Sequence, residues 1–171
     1  MTLKIVNARK QRLTDEDFRM LALIEEHPEV AKWNIPAIPA FGGDVEKAFA
    51  TFKESIERIS ETEDEFLVAK QEGTVVGFVG IHRIKGKIGE MAHVGEVGIS
   101  VHPNFQRLGI GTKLMKTCVS LARRRKFKRL EANTLAHNIA MRRVLEKTGF
   151  QLEGIRQKRV KINGKYYDEC Y

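Results

Sequence analysis

Apolar residues recur along the chain with two periods, and each change of period marks a change of element. Behind Thr14-Asp15-Glu16-Asp17, an N-cap candidate followed by acid, Phe18, Leu21 and Ile24 fall at helical spacing and predict a first helix. The segment Trp33 to Gly43, with Pro36, Pro39 and a glycine pair, cannot continue a helix and reads as a loop. Val45, Phe49, Phe52 and Ile56 form the stripe of a second helix, from about Asp44 to Glu61. From Glu65 the period falls to two. Glu65 to Lys70, the turn Gln71-Glu72-Gly73, and Val75 to Ile84 predict a hairpin. The turn Lys85-Gly86-Lys87-Ile88-Gly89 leads to a third strand, about Ala92 to Val101. Helical spacing returns over Thr112 to Arg125, with Leu114, Met115, Cys118, Val119 and Ala122 inward. A strand from Arg129 to Thr134 and a helix from Asn138 to Lys147, closed by Gly149, follow. The chain ends in a hairpin, Phe150 to Lys161 and Lys165 to Tyr171, joined by Asn163-Gly164.

The order β–α–α–β–β–β–α–β–α–β–β predicts an α/β (α+β) fold, a mixed and largely antiparallel central sheet flanked by about four helices. The strand-helix-strand unit from Ala92 to Thr134 should form a right-handed crossover with parallel strands. That topology places the turn after Val101 at the carboxyl end of a strand, where ligands commonly bind.

The 171 residues suit one domain, 1–171, with no internal repeat or linker. Cys118 and Cys170 make no metal-ligand spacing and no disulfide framework, so no metal is expected and a reducing compartment fits. No apolar run approaches the roughly 18 residues of a membrane span, and the first residues are too short in apolar content for a signal sequence. A cytoplasmic location is expected. The formal net charge of +8 favours anionic ligands in general. Its densest cluster, Arg123-Arg124-Arg125-Lys126-Phe127-Lys128-Arg129, ends a helix, where cations complement the dipole. Only Phe127 interleaves with those charges, so nucleic-acid binding is not expected. The acidic run Glu61, Glu63, Asp64 and Glu65 reads as a solvated helix end, with attraction of a cationic acceptor as the alternative.

The chemistry concentrates at Gln106-Arg107-Leu108-Gly109-Ile110-Gly111-Thr112, where a strand runs into a glycine-punctuated turn that opens a helix. Such a turn lets several N–H groups converge on one anion, and the helix dipole adds to them. It lacks the Gly-Lys-Ser/Thr ending of an ATP-type loop and the third glycine of a dinucleotide fingerprint. With Asn138 heading the next helix, Glu146-Lys147-Thr148-Gly149-Phe150 closing it, and Asn163-Gly164-Lys165-Tyr166-Tyr167-Asp168 in the terminal hairpin, the chain resembles the GNAT superfamily of acyl-CoA-dependent N-acyltransferases. Within it, the motifs are nearest the branch of ribosomal-protein alanine, spermidine and amino-acid acetyltransferases. The match is specific from about Val94 to Asp168.

The resemblance implies acetyl-CoA as donor and a primary amine, of a small molecule or a peptide N-terminus, as acceptor. It implies that the amides from Gln106 through Arg107, Leu108, Gly109, Ile110, Gly111 and Thr112 hold pyrophosphate, that Ile99, Ser100 and Val101 line the pantetheine, and that Asn138 contacts it or caps its own helix. The Val101 N–H would polarise the thioester carbonyl. An ammonium has no lone pair, so the acceptor needs a base. Glu96, sharing a strand face with Gly98 and Ser100, is the candidate, against the reading of a surface carboxylate. His102 reads as a strand-end cap more than as a base. The Tyr and Ser that family members place after the Asn are replaced by Leu145 and Met141. A water-mediated protonation of the leaving thiolate is therefore expected, with Tyr166, Tyr167 or Cys170 as alternatives. The missing acids also motivate an alternative function, a CoA-binding module without catalysis. Exposed strand edges in the terminal hairpin permit a homodimer.

Overall fold

A computed structural model describes residues 2–34, 41–83 and 89–171. Pro36 and Pro39 of the expected loop, the strand end at Ile84, and most of the turn from Lys85 to Gly89 lie outside the described residues.

The first helix begins where its acids satisfy free backbone donors. Thr14 Oγ1 accepts from the Asp17 N–H at 3.2 Å, and Asp17 Oδ2 accepts in return from the Thr14 N–H at 2.9 Å. This reciprocal cap starts α1 (Asp15–Glu25), which buries Phe18, Leu21 and Ile24. A single turn, α2 (Pro28–Ala31), follows with Pro28 opening it, an element the periodicity did not reveal because it is too short to show one. Asp44 caps α3 (Val45–Glu57). The expected continuation to Glu61 breaks at Arg58 into a 3₁₀ turn over Ile59–Glu61.

The main sheet has the order β1 (Leu3–Asn7), β2 (Glu65–Gln71), β3 (Thr74–Arg83), β4 (Val94–Val101) and β5 (Arg129–Glu131). All neighbours are antiparallel except β4 and β5. A bulge at Ala69/Lys70 shifts the β2–β3 register. Alternation along the strands splits the core into two layers. Phe66, Val68 and Phe78 face α1 and α3, while Leu67, Val79, Ile81 and Val97 face α4 (Ile110–Arg124). On α4, Leu114, Met115 and Cys118 are fully buried, and burial of a side chain the size of Leu or Met contributes about 1.5–3 kcal/mol. Val119, expected inward, is only half-buried.

The strand expected over Arg129–Thr134 is two strands in two sheets. β5 ends at Glu131, and β6 (Thr134–Leu135) joins a second sheet with β8 (Lys165–Cys170) and β7 (Ile155–Ile162), in the order β6-β8-β7. Between them stands α5 (Ile139–Lys147). The expected start of β7 at Phe150 moves to Ile155, because Glu153 and Gly154 donate instead to the Tyr171 carbonyl.

Candidate active site

The break after Glu131 leaves half of β4 without a neighbour on one side. β4 pairs with β5 only from Val94 to Glu96, so among the described residues Val97 to Val101 have no strand partner on that edge. On the other edge the ladder with β3 is regular, with Val101 opposite Gly77 and the His102 N–H donating to the Val76 carbonyl at 2.9 Å. Hydrogen-bonding residues alternate along an antiparallel strand. Gly98 and Ser100 therefore direct their main-chain groups at β3, and Val97, Ile99 and Val101 direct theirs into the gap. The Val101 carbonyl there accepts from Gln106 Nε2 at 3.0 Å, which leaves its N–H and both polar groups of Ile99 facing the opening.

That opening leads to the head of α4. His102 Nδ1 accepts from the Asn104 N–H at 3.2 Å and caps a 3₁₀ turn over Pro103–Phe105, as a strand-end role requires. Burial, and then the neighbouring His27, hold its pKa below the ordinary histidine value. Gln106, Arg107, Leu108 and Gly109 are exposed. Arg107 at φ +60 and Gly109 at φ +79 turn the chain so that Gly109 becomes the N-cap of α4, a conformation natural only to the glycine. No side chain caps α4, whereas Thr14, Asp44 and Asn138 cap α1, α3 and α5. The amides of Ile110, Gly111 and Thr112 thus begin a helix with no side-chain acceptor, at the positive end of its dipole. A pyrophosphate fits this set of donors, and a pantetheine amide fits the vacant strand edge beside it.

Asn138 is buried, and its Oδ1 accepts from the Met141 N–H at 3.2 Å, so any cofactor contact is left to Nδ2. Leu145 packs in the core beneath α4, and Met141 lies at its margin. Of the alternative proton donors, Tyr166 is exposed, Tyr167 lies against His137 at 5.1 Å with the rings tilted, and Cys170 is buried. Burial pushes the Cys118 thiol up to about 12.

On the opposite face of β4 lies a cavity of about 270 Å³. Its floor includes Gly98, above which a Cβ would meet nothing within 4 Å, and its register partner Gly80. Phe66 and Phe78 stack at 5.4 Å, and Phe52 of α3 meets the Phe78 ring edge-on, also at 5.4 Å. The Ser100 side chain turns into this cavity, not toward the loop, and donates to Glu25 Oε2 at 2.9 Å. Asn34 Nδ2 donates to Glu25 Oε1 at 3.0 Å. Burial, the largest influence, raises the Glu25 pKa. The Ser100 hydrogen bond pulls it back, the Glu26 charge raises it and the Asn34 bond lowers it, with the net above the ordinary carboxylate value. Glu26 is buried behind it and accepts from the N–H groups of Phe41 and Gly43, at 3.3 and 2.8 Å, tying down that flank of the cavity.

Glu96 is exposed on the same face but does not line the cavity. Glu25 had no motif around it. The available signal was electrostatic, since two adjacent carboxylates end α1, where the helix dipole disfavours negative charge. The basic cluster after α4 is partly structural. Arg125 pairs with buried Glu65, and Arg129 pairs with Glu131 and Glu153. Asp64, of the acidic run, accepts from the Arg83 N–H and meets His82. Among the described residues no group of side chains is arranged to hold a metal, and no helix is long and apolar enough to cross a membrane.

Comparison with known proteins agrees with this geometry. YjcK of Bacillus subtilis (strain 168) is 31% identical over 123 residues, covering 71% of this chain and 66% of YjcK. The L-amino acid N-acetyltransferase AaaT of Escherichia coli (strain K12) is 29% identical over 106 residues, covering 61% of this chain and 64% of AaaT. Both alignments thus span just under two thirds of the relatives' own lengths. A phosphinothricin acetyltransferase from Sinorhizobium meliloti, solved in complex with acetyl-CoA, superimposes with a TM-score of 0.80 at 19% identity, covering 99% of this chain and 86% of that one. A model of the acetyltransferase (GNAT) family matches residues 27–150, a stretch that holds Glu25's partners, the vacant edge of β4, the glycine turn and α5. The open strand edge and the uncapped helix beside it are therefore those of a member of the GNAT acetyltransferase family.

Proposed function

We propose that residues 1–171 act as one acyltransferase domain that moves an acetyl group from acetyl-CoA to a primary amine, by direct attack within a ternary complex. The observation that carries this reading is the Glu25–Ser100 hydrogen bond, which brings a carboxylate from one face of the sheet to the residue beside Val101, on the open edge. Acetyl-CoA, when bound, supplies an acetyl group activated as a thioester. The amides from Arg107 to Thr112 receive its pyrophosphate, Ile99 and Val101 pair with its pantetheine arm, and Asn138 adds Nδ2.

Glu25 takes the proton from the acceptor ammonium, and its raised pKa keeps the two groups closer in basicity than an ordinary carboxylate would. Glu96, exposed on the same face of β4, guides the cation inward. The Val101 N–H bonds to the carbonyl oxygen as the amine attacks, a contact of a kind worth about 3 kcal/mol where a side-chain donor was deleted. The C–N bond forms, the C–S bond breaks, and the sulfur takes its proton from water, because a thiol of pKa near 8.5 leaves readily as thiolate. No cysteine is acylated, since both are buried.

Initial-rate kinetics with acetyl-CoA and amine varied together test this. Intersecting double-reciprocal lines, retained in the Cys118→Ala/Cys170→Ala variant, are expected. Parallel lines abolished in that variant would show an acyl-enzyme and overturn direct attack. Two free thiols fit the reducing cytoplasm. A homodimer pairing along the outer edge strand β7 belongs to the same proposal, and sedimentation velocity checks it.

A further inference from the structure

We infer that the acceptor is a small amine with an apolar, aromatic-sized body and no carboxylate on the amine-bearing carbon. This rests on the reading of the site as an acetyltransferase and deepens it. The cavity volume of about 270 Å³ is enough for an amine the size of a phenylethyl chain. One wall is the aromatic set of Phe52, Phe66 and Phe78, whose rings lie edge-on or stacked within 5.4 to 6.1 Å of one another. A flat apolar group placed against Phe52 continues that packing.

The charge of the lining has one sign. It carries Glu25, Asp64 and Glu65, and no lysine or arginine among the described residues. Glu65 is neutralised by Arg9 and Arg125, and Asp64 is engaged by the Arg83 N–H and His82. Glu25 has two accepted hydrogen bonds and, as a carboxylate, room for two more. It is the one acid of the lining without a cationic or imidazole partner among the described residues, so an ammonium completes it. An α-carboxylate bound with that ammonium would stand beside Glu25 with no lysine or arginine of the described lining to receive it. Like charges so placed oppose binding. The chain's overall +8 charge thus says nothing of the acceptor, because the local field of the cavity is negative.

The test offers the purified protein acetyl-CoA with 2-phenylethylamine, L-phenylalaninamide, L-phenylalanine, n-propylamine or spermidine, following CoA thiol release and acetylated product. The kcat/KM for 2-phenylethylamine and L-phenylalaninamide should exceed that for L-phenylalanine by about tenfold or more, since only the carboxylate differs in the latter pair. Phe52→Ala should lower kcat/KM for 2-phenylethylamine by a larger factor than that for n-propylamine, a split that a merely structural role would not produce. Equal or better use of L-phenylalanine, preference for spermidine, or equal losses on both amines in Phe52→Ala overturns the inference and leaves the acetyltransferase reading standing. Acetyl-CoA binding without thiol release on any of these amines, or on a peptide N-terminus, overturns both.

Discussion

The two sides of β4 are built from different materials. On its open edge the proposed donor site is main chain, made of the vacant strand groups of Ile99 and Val101 and the uncapped amides after Gly109. On its buried face the proposed acceptor cavity is side chain, gathered from α1, Asn34, Phe41, α3, β2 and β3. A main-chain site needs only a local conformation, which a few residues in sequence can specify. A side-chain site needs separate elements to converge, and each contributes one residue with no motif around it.

The comparison breaks most sharply at Glu25. Glu25→Gln should lower kcat/KM for the amine by about 10²- to 10⁴-fold, the usual range for a positioned base, and erase the acidic limb of its pH profile. Glu96→Gln should change it by about twofold, as exposed substitutions do. A larger loss in Glu96→Gln than in Glu25→Gln would return the base to the strand. On the donor side, Gly109→Val forces a β-branched residue to φ +79, a strain of about 1–3 kcal/mol. Titration with acetyl-CoA should show weaker binding by roughly fivefold to a hundredfold, while the amine KM stays fixed.

Asn138→Ala should cost about 1 kcal/mol of stability through the lost cap, and Asn138→Ser should restore it. An acetyl-CoA KM raised in both variants would show that Nδ2 contacts the cofactor; an unchanged KM would leave Asn138 a cap alone. The smallest effect is on stability. Because folding raises the Glu25 pKa, the stability linked to its proton is present below its unfolded pKa and lost as pH rises through the folded value. Glu25→Gln should thus raise Tm at neutral pH, by a margin that shrinks toward zero below about pH 4, the ordinary Glu range, when thermal melts are run across pH. Higher Tm with lower turnover would mark Glu25 as kept for chemistry at a cost in stability.

Legibility followed the same division. Thr14, Gly109, Asn138 and the Asn163-Gly164 turn act within a few residues of themselves, and the structure places each in the cap or turn its sequence predicts. The strand from Arg129 to Thr134 read as continuous because its apolar content does not reveal which sheet each half joins. Strand alternation put Ser100 on the face of Glu96 and Gly98, but the resemblance also assigned it to the pantetheine, and nothing local names the partner of its hydroxyl. Its hydroxyl meets Glu25, 75 residues earlier in the chain.

The sequence by itself determined the glycine turn and the helix it opens, since period, turn chemistry and a glycine at the head of a helix are local properties that survive any packing. The tertiary structure alone decided the rest. It splayed β5 from β4 to open the strand edge, set Gly98 beside Gly80, and carried the carboxylate of Glu25 to Ser100. Burial raises that carboxylate's pKa, and burial belongs to the folded whole and to no stretch of residues within it.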